Sequence, residues 1–383
     1  MHPEKGLIVL MGYNPGYSIV QSSRALHIFE EITKYYPETY LLMQKSKNSS
    51  ICLDNLICIK PKLNLEGKES KYRLLKRVLF RFQIALYIFY FITINKIDYV
   101  FLRGYDTILL YPFLKLLKIK IYYDFHGKFD VELQQLNRNL RAFFVKWIDK
   151  FILRYADGII VVSNGIKAQI EEYSDKCILL PNGVDVKRIE STEAECPVDI
   201  PEDKKVIGFI GNWEEFMNIE DICESVSLLS NCMIVIVGYG YKAAQKIDKY
   251  KDQPNILFTG KLPQIETYSI LNRFDICVLP YDKEDLHSQY PDFFSSRKTK
   301  EYIAAGKPIV VADVIGKEAW LKPEEHCLLY ESRNPEDLAE KISILLNDKE
   351  LYANMSKNNR ELAKQFEWNV IVQNSGILED IQN

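Results

Sequence analysis

Residues 295–313 read "SSRKTKEYIAAGKPIVVAD". The stretch is cap, helix, stop and strand in succession. Ser295 and Ser296 are N-cap residue types, whose hydroxyl oxygen accepts from a free backbone N–H of the first turn. The spacing predicts a helix over Arg297–Ala305. Gly306 stands where a left-handed C-terminal residue belongs, and Pro308 stops continuation. Ile309–Ala312 is then a short β-branched strand. The preceding predicted strand is Ile276–Leu279, so about fifteen residues intervene before Ser295, a long loop for an α/β unit and one with functional character. A helix that opens from such a loop is an anion site, because its free N–H groups and dipole favour negative charge. Lys298 adds a cation in the first turn, where a cation disfavours the helix itself. That conflict points to an anionic ligand. Glu301 and Tyr302 follow three and four residues on and can share a face with Lys298. A cation and backbone donors suit a diphosphate, and a carboxylate one turn deeper suits the two hydroxyls of a ribose. The alternative is a solvated helix carrying an Arg297–Glu301 ion pair.

The surroundings of this stretch alternate strand and helix. Val206–Trp213 reads as strand then loop, Glu220–Leu229 as helix and Met233–Val237 as a strand ending in "GYG". Ile256–Phe258 is a strand ending in Thr259-Gly260, Gln264–Leu271 a helix and Phe274–Leu279 a strand. Such alternation builds a doubly wound parallel sheet. Val186–Lys205 is charged and irregular, the best linker candidate. Upstream, Leu7–Met11 is a first strand followed by the loop "GYNPGYS", Gly12–Ser18, and by a helix with Ile19, Leu26, Phe29, Ile32 and Tyr36 at helical spacing. The loop lacks the spacing of a dinucleotide fingerprint, and Gly12 and Gly16 also suit a plain tight turn. Thr39–Met43, Leu56–Ile59, Tyr99–Arg103, Ile119–Phe125 and Gly158–Val162 are further strands. His126, just past the C-terminal end of one of them, stands where open α/β sheets place ligands and can hydrogen-bond a sugar hydroxyl or a phosphate; a structural histidine is the alternative.

Composition narrows the class. A length of 383 residues suits two domains, and 47% hydrophobic with 26% charged residues is ordinary for a soluble protein. The eight cysteines form no metal-ligand spacing, which fits reduced thiols in a cytosolic protein. No signal peptide is expected, and the longest apolar run, Ile84–Ile94, is too short to span a bilayer. Residues 1–190 carry a balance of +9 and the remainder −12. A basic N-terminal half suits an anionic membrane or a phosphorylated acceptor, with scattered surface charge as the alternative. Lys71–Asn95 is predicted as one helix, basic in its first half and apolar all round in its second, which implies burial there. Its basic end either touches anionic lipid or is simply solvated. A pI near 6.1 and the lack of a recognised module argue against nucleic acid.

The motif "KTKEYIAAGKPIVVAD" resembles the nucleotide-sugar-binding signature of retaining glycosyltransferases of family 4, which have the GT-B fold. Further segments resemble that family in the same order: "VVSNGIKAQI" at 161–170, "LLPNGVD" at 179–185, "IGFIGNW" at 207–213, "IVIVGYG" at 234–240, "ILFTGKLPQIETYSILNRFDICVLPY" at 256–281 and "FEWNVI" at 366–371. The C-terminal half is covered almost end to end and the N-terminal half only loosely. The resemblance implies two Rossmann-like doubly wound parallel-sheet domains facing across a cleft. An N-terminal acceptor-side domain would span 1–190 and a C-terminal donor-side domain 191–366, with a last helix over 367–383 crossing back. It implies transfer of a hexosyl group, with retention, from a UDP- or GDP-linked donor to a glycan or polyprenyl-linked acceptor. That is the work of surface polysaccharide or glycolipid synthesis in the cytoplasm, peripheral at the inner face of the membrane. No cofactor and no metal are expected.

The same resemblance assigns roles. Glu301 would hold the donor ribose and Lys298 the diphosphate, with Ser296, Arg297 and Tyr302 beside them. Gly260, Lys261 and Leu262 would border the base, and Gly211 and Asn212 would approach the diphosphate or sugar. His126 would face the cleft, and the loop with Gly16 would line it near the acceptor. Two usual diphosphate cations are missing, since Asn212 and Met217 stand where the family commonly has Arg and Lys. The first of the family's two carboxylates falls at Phe293, with Asp292 beside it. A non-catalytic GT-B subunit that binds nucleotide sugar or a partner enzyme is therefore the alternative function, and an epimerase or phosphorylase on the same scaffold is a third.

Overall fold

Strands here are nearly continuous apolar runs, as expected when both faces of a parallel sheet are covered. The computed structural model of the protein describes residues 4–10, 18–44, 54–59, 73–125, 139–171, 173–213, 216–240, 247–285, 296–314 and 320–382. The chain divides into two compact units, Met1–Pro181 with Ile371–Asn383, and Asn182–Val370.

The first unit runs β1 (Gly6–Leu10), α1 (Ser18–Thr33), β2 (Thr39–Gln44), β3 (Leu56–Ile59), α2 (Arg73–Asn95) and β4 (Tyr99–Leu102). A tight turn of helix, Tyr105–Leu110, leads into α3 (Tyr111–Leu116), then β5 (Lys120–Phe125), α4 (Asn139–Tyr155), β6 (Gly158–Val161), α5 (Asn164–Ile170) and β7 (Cys177–Leu179). The described strands form one sheet in the order β3-β2-β1-β4-β5-β6-β7, with parallel registers such as Leu7 opposite Tyr40 and Val100. The chain steps one way from β1 to β2 and β3, and the other way from β4 to β7. Right-handed crossovers then put α1 on one face of the sheet and α2, α3, α4 and α5 on the other.

Helix α2 departs from expectation. Its apolar second half is not enclosed: Ile84, Ile88 and Ile92 are buried, but Phe82, Leu86, Tyr90 and Ile94 are more than half exposed. A helix laid on one face of a sheet covers only one of its own sides, and apolar residues all round it cannot reveal how many sides are covered.

The second unit begins with α6 (Val186–Glu190), inside the stretch expected to be linker. Asp185 caps it by accepting from Arg188 N at 3.0 Å, and Val186 and Ile189 join the core of this unit. The observed division therefore falls at Pro181/Asn182 rather than after 190, and the return to the first unit begins at Ile371 rather than 367. Next come β8 (Lys205–Ile210), α7 (Ile219–Ser225), β9 (Cys232–Val237), β10 (Ile256–Gly260), α8 (Gln264–Arg273), β11 (Ile276–Leu279), α9 (Arg297–Ala304) and β12 (Ile309–Ala312). The unit closes with β13 (Cys327–Tyr330), α10 (Pro335–Asn347) and α11 (Lys349–Ala363). Helix α12 (Trp368–Asn374) spans the second division and α13 (Ile377–Gln382) belongs to the first unit. The sheet order is β10-β9-β8-β11-β12-β13. Strand order reverses between β8 and β11, which makes the C-terminal ends of these two strands the topological switch point, where open α/β sheets bind ligands. Both units are thus doubly wound parallel-sheet folds. Among the described residues, no helix is long and apolar enough to cross a membrane.

Candidate functional site

The switch point of the second unit is framed by the loop after β8 and by the start of α9. Ser296, at φ −67° and ψ 124°, is the N-cap of α9: its Oγ accepts from Thr299 N at 3.2 Å. Tyr281, just past β11, donates its hydroxyl to the same Oγ at 3.4 Å. The cap is therefore anchored to the strand that borders the crevice, and the dipole of α9 is aimed there.

Three strand ends meet beside it through glycine. Gly211 N donates to Val237 O at 3.0 Å, and Gly238 N to Gly260 O at 2.9 Å. Gly238 sits at φ +124°, and a Cβ there would stand 1.9 Å from the carbonyl oxygen of Gly211, so only glycine fits. Gly211 itself, at φ +146°, leaves room for a side chain from α9: an added Cβ would lie 2.5 Å from Lys298 Cδ and 3.1 Å from Lys298 Nζ. The Lys298 ammonium lies 5.0 Å over the ring of Phe209 and 3.7 Å from the thioether sulfur of Met217. Lys298 thus reaches the end of β8 and touches the very residue that stands in place of a usual family cation.

Glu301 lies one turn deeper and is mostly buried. Arg297 approaches its Oε1 at 3.6 Å, and the Tyr268 hydroxyl donates to the same oxygen at 3.4 Å. Gln264 in turn donates to the Tyr268 hydroxyl at 2.6 Å. Burial pushes the Glu301 carboxyl above its ordinary range, against the pull of Arg297, the Tyr268 hydrogen bond and Lys298. A buried carboxylate held by a tyrosine relay is positioned to accept hydrogen bonds from a polyol. The Arg297–Glu301 pair given as the alternative is present, so Glu301 is common to both readings, paired with Arg297 in one and serving beside Lys298 in the other.

The other expected positions sort by unit and by exposure. Asn212 and Lys261 are exposed, Gly260 and Leu262 half-buried, all at or just past the ends of β8 and β10. Tyr302 does not share the open face. It is fully buried, and its hydroxyl accepts from Ile210 N at 2.7 Å. It fixes the end of β8, one residue before Gly211. His126 and Gly16, with Asp292, Phe293 and Ser295, lie outside the described residues. Sequence reading missed Tyr268 and Gln264, whose only signal was spacing on α8, and Gly238, quoted in "GYG" without a role. It also missed the buried Arg24 of the first unit, which donates to Leu180 O at 2.7 Å and to Asp124 at 3.4 Å, at the end of β5.

Chains of known structure share this architecture. Sucrose-phosphate synthase from Thermosynechococcus elongatus superposes with a TM-score of 0.75 at 16% identity, over 98% of each chain. Anabaena HepE, crystallised in complex with UDP, superposes with a TM-score of 0.68 at 14% identity, over 99% of each chain. The fold is that of the GT-B glycosyltransferases. The sequence profile of the family described as glycosyl transferases group 1 matches residues 191–362, and that of Glycosyltransferase Family 4 matches residues 60–188. The two profiles fall in different units of the chain, and the protein is a glycosyltransferase of the GT-B type. An uncharacterised glycosyltransferase of Methanocaldococcus jannaschii is 26% identical over 286 residues, which are 69% of this chain and 69% of that protein. The N,N'-diacetylbacillosaminyl-diphospho-undecaprenol alpha-1,3-N-acetylgalactosaminyltransferase of Campylobacter jejuni is 25% identical over 260 residues, 64% of this chain and 66% of that protein.

Proposed function

We propose that the protein moves a hexosyl group from a UDP- or GDP-linked sugar to a polyprenyl-linked or glycan acceptor, with retention at the anomeric carbon. The observation that carries this is the pairing of Lys298 at the capped start of α9 with Glu301 one turn deeper, both at the switch point. In this reading the free N–H groups of the first turn and the Lys298 ammonium take the diphosphate, and Glu301 takes the ribose hydroxyls. The bond from the anomeric carbon to the diphosphate breaks while the bond to the acceptor oxygen forms on the same face. The acceptor proton passes to the departing diphosphate oxygen, so no protein base is needed. Stabilising that developing negative charge is the main task, and fixed dipoles and a cation perform it without a metal ion.

The missing cations at Asn212 and Met217 have a counterpart here. Lys298 already brings its ammonium against Met217, so one cation from α9 serves the place. A relative that acts on a diphospho-undecaprenol saccharide supports the acceptor class, and a structural neighbour with UDP supports the donor class. Such an acceptor would bring the protein to the cytoplasmic face of a membrane in the course of polysaccharide or glycolipid assembly.

The test is transfer from a panel of UDP- and GDP-hexoses to a polyprenyl-diphosphate-linked saccharide, with the product's anomeric configuration read by NMR. Product of the donor's configuration, formed equally with EDTA present, is expected. An inverted product contradicts retention, and loss of turnover with EDTA contradicts metal independence. A donor that binds but is never consumed would select the non-catalytic subunit instead.

A further inference from the structure

Helix α4 carries two ladders at a spacing of four residues, the rows that run side by side along a helix surface. Phe143, Trp147, Phe151 and Tyr155 form an aromatic ladder, and Lys146, Lys150 and Arg154 a basic one. Both lie away from the side that packs on the sheet, where Ala142, Ile152 and Leu153 are buried. Trp147 is 63% exposed and Phe143 57%, with their rings 6.4 Å apart. All three residues of the basic ladder are exposed.

The neighbouring helices on the same face of the sheet continue this surface. On α2, Phe82, Leu86, Tyr90 and Ile94 form a third ladder, each more than half exposed. Between α2 and α4, Phe113 and Leu116 of α3 are exposed, Leu116 at 80%. The segments touch: Phe89 of α2 packs edge-on against Phe113 at 5.5 Å, and Tyr111 against Phe151 at 5.9 Å. Exposed apolar side chains scattered singly need no explanation, but three adjacent helices presenting them together do. Charge along these helices is mainly basic: Arg81 of α2 is exposed, and Lys115 of α3 pairs with Asp157 at 2.7 Å. The acid of α4, Asp149, is buried.

We propose that this face of the first unit, centred on α4, docks on an anionic lipid bilayer. Aromatic side chains beside lysine and arginine are the composition of the membrane interface: rings enter the headgroup–acyl boundary while cations meet lipid phosphates. Each Lys or Arg near an anionic surface contributes about 1 kcal/mol, so the basic ladder alone accounts for roughly a hundredfold in affinity. The inference deepens the membrane part of the proposed function, and rests on it only in that an acceptor held in a bilayer gives such a face its use. The basic end of α2, which the sequence leaves open between a lipid contact and a solvated end, is secondary to α4.

The test uses the full-length protein, vesicles of phosphatidylglycerol and phosphatidylcholine in equal parts, and vesicles of phosphatidylcholine alone. Co-sedimentation with the vesicles reads binding, and tryptophan emission reads insertion at Trp147, since Trp213 and Trp368 are buried and Trp320 half-buried. Emission should shift to the blue with the anionic vesicles only. Trp147→Phe should bind while losing the shift, Phe143→Ser with Trp147→Ser should abolish binding, and the triple variant Lys146→Gln, Lys150→Gln, Arg154→Gln should weaken it by roughly a hundredfold. An unshifted emission, equal binding to the neutral vesicles, or binding that survives the double variant overturns the proposal. So does a dimer in sedimentation that the double variant dissolves, which would make the face a self-interface. Vesicle binding requires no nucleotide. Binding without sugar transfer would thus keep this inference and sink the transfer reading, and transfer to a detergent-dispersed acceptor without vesicle binding would do the reverse.

Discussion

Glu301 shows how burying a carboxylate can cost stability. Burial raises its pKa in the folded protein above its unfolded value, so the folded state holds the proton more tightly. Stability from this group is then greatest below the ordinary carboxylate range and is lost as pH rises through the raised value. Glu301→Gln removes that loss and keeps an oxygen that can accept from Tyr268. The variant is expected to melt at the same temperature as the wild type or higher at neutral pH, and to bind nucleotide sugar more weakly by tenfold or more, the scale of a lost charge-assisted hydrogen bond. Melting curves across pH and donor titration check the two halves; a variant that is less stable and binds normally would remove Glu301 from the site. The placement of this residue one turn after Lys298 was legible in sequence because one helix fixes their spacing. Tyr268 was not, since a hydrogen bond from α8 to α9 depends on packing between helices that no local pattern records.

At the scale of the element, α9 works because the loops around it are strapped together. Asn218 N donates to Pro280 O at 2.7 Å and Asp282 N to Phe216 O at 2.8 Å, which ties the loop after β8 to the loop after β11 and keeps Met217 where Lys298 can touch it. Arg333 pairs with Asp282 at 2.7 Å, and Asp221 closes the network by accepting from Arg333 N at 3.0 Å and from the Tyr330 hydroxyl at 3.2 Å. Burial pushes the Asp221 carboxyl up to about 6, although both of those hydrogen bonds pull it down. Its folded pKa is raised, so its favourable contribution is present below the ordinary range and is lost between about pH 4 and pH 6. The stability of the wild type relative to Asp221→Asn should therefore fall by about 2–3 kcal/mol across that interval in denaturant titrations. A difference that stays flat would show that Asp221 titrates normally. Sequence gave no hint of this network. Asp221 comes from the first turn of α7, and Asp282 and Arg333 from two separate loops; β13, α10 and α11, which flank or follow Arg333, were not recognised as separate elements.

For the whole molecule, strand and helix alternation revealed two doubly wound sheets, because buried parallel strands write themselves as short β-branched runs such as Ile309–Ala312 and Cys232–Val237. Boundaries between the units were less legible. The charged stretch after Pro181 looked like linker, yet two apolar residues in it, Val186 and Ile189, suffice to seat α6 in the second core. The chain's last residues belong to the first unit: Tyr122 donates to Asp380 at 2.7 Å, Tyr36 to Leu378 O at 2.7 Å, and Ile377 and Ile381 are fully buried. Truncation after Val370 should then lower the melting temperature of the first unit while leaving nucleotide binding by the second intact; loss of both together would mean that the units do not hold their structures separately. The central claim, a nucleotide-sugar site at the start of α9, is tested most directly by thermal shift with UDP- and GDP-sugars on the wild type, Lys298→Ala and Glu301→Gln. A donor at 100 times its Kd should stabilise the wild type by about 2.7 kcal/mol. The account predicts that shift with one nucleotide class and its loss in both variants. No shift with any donor, or a shift that survives in both variants, would contradict it.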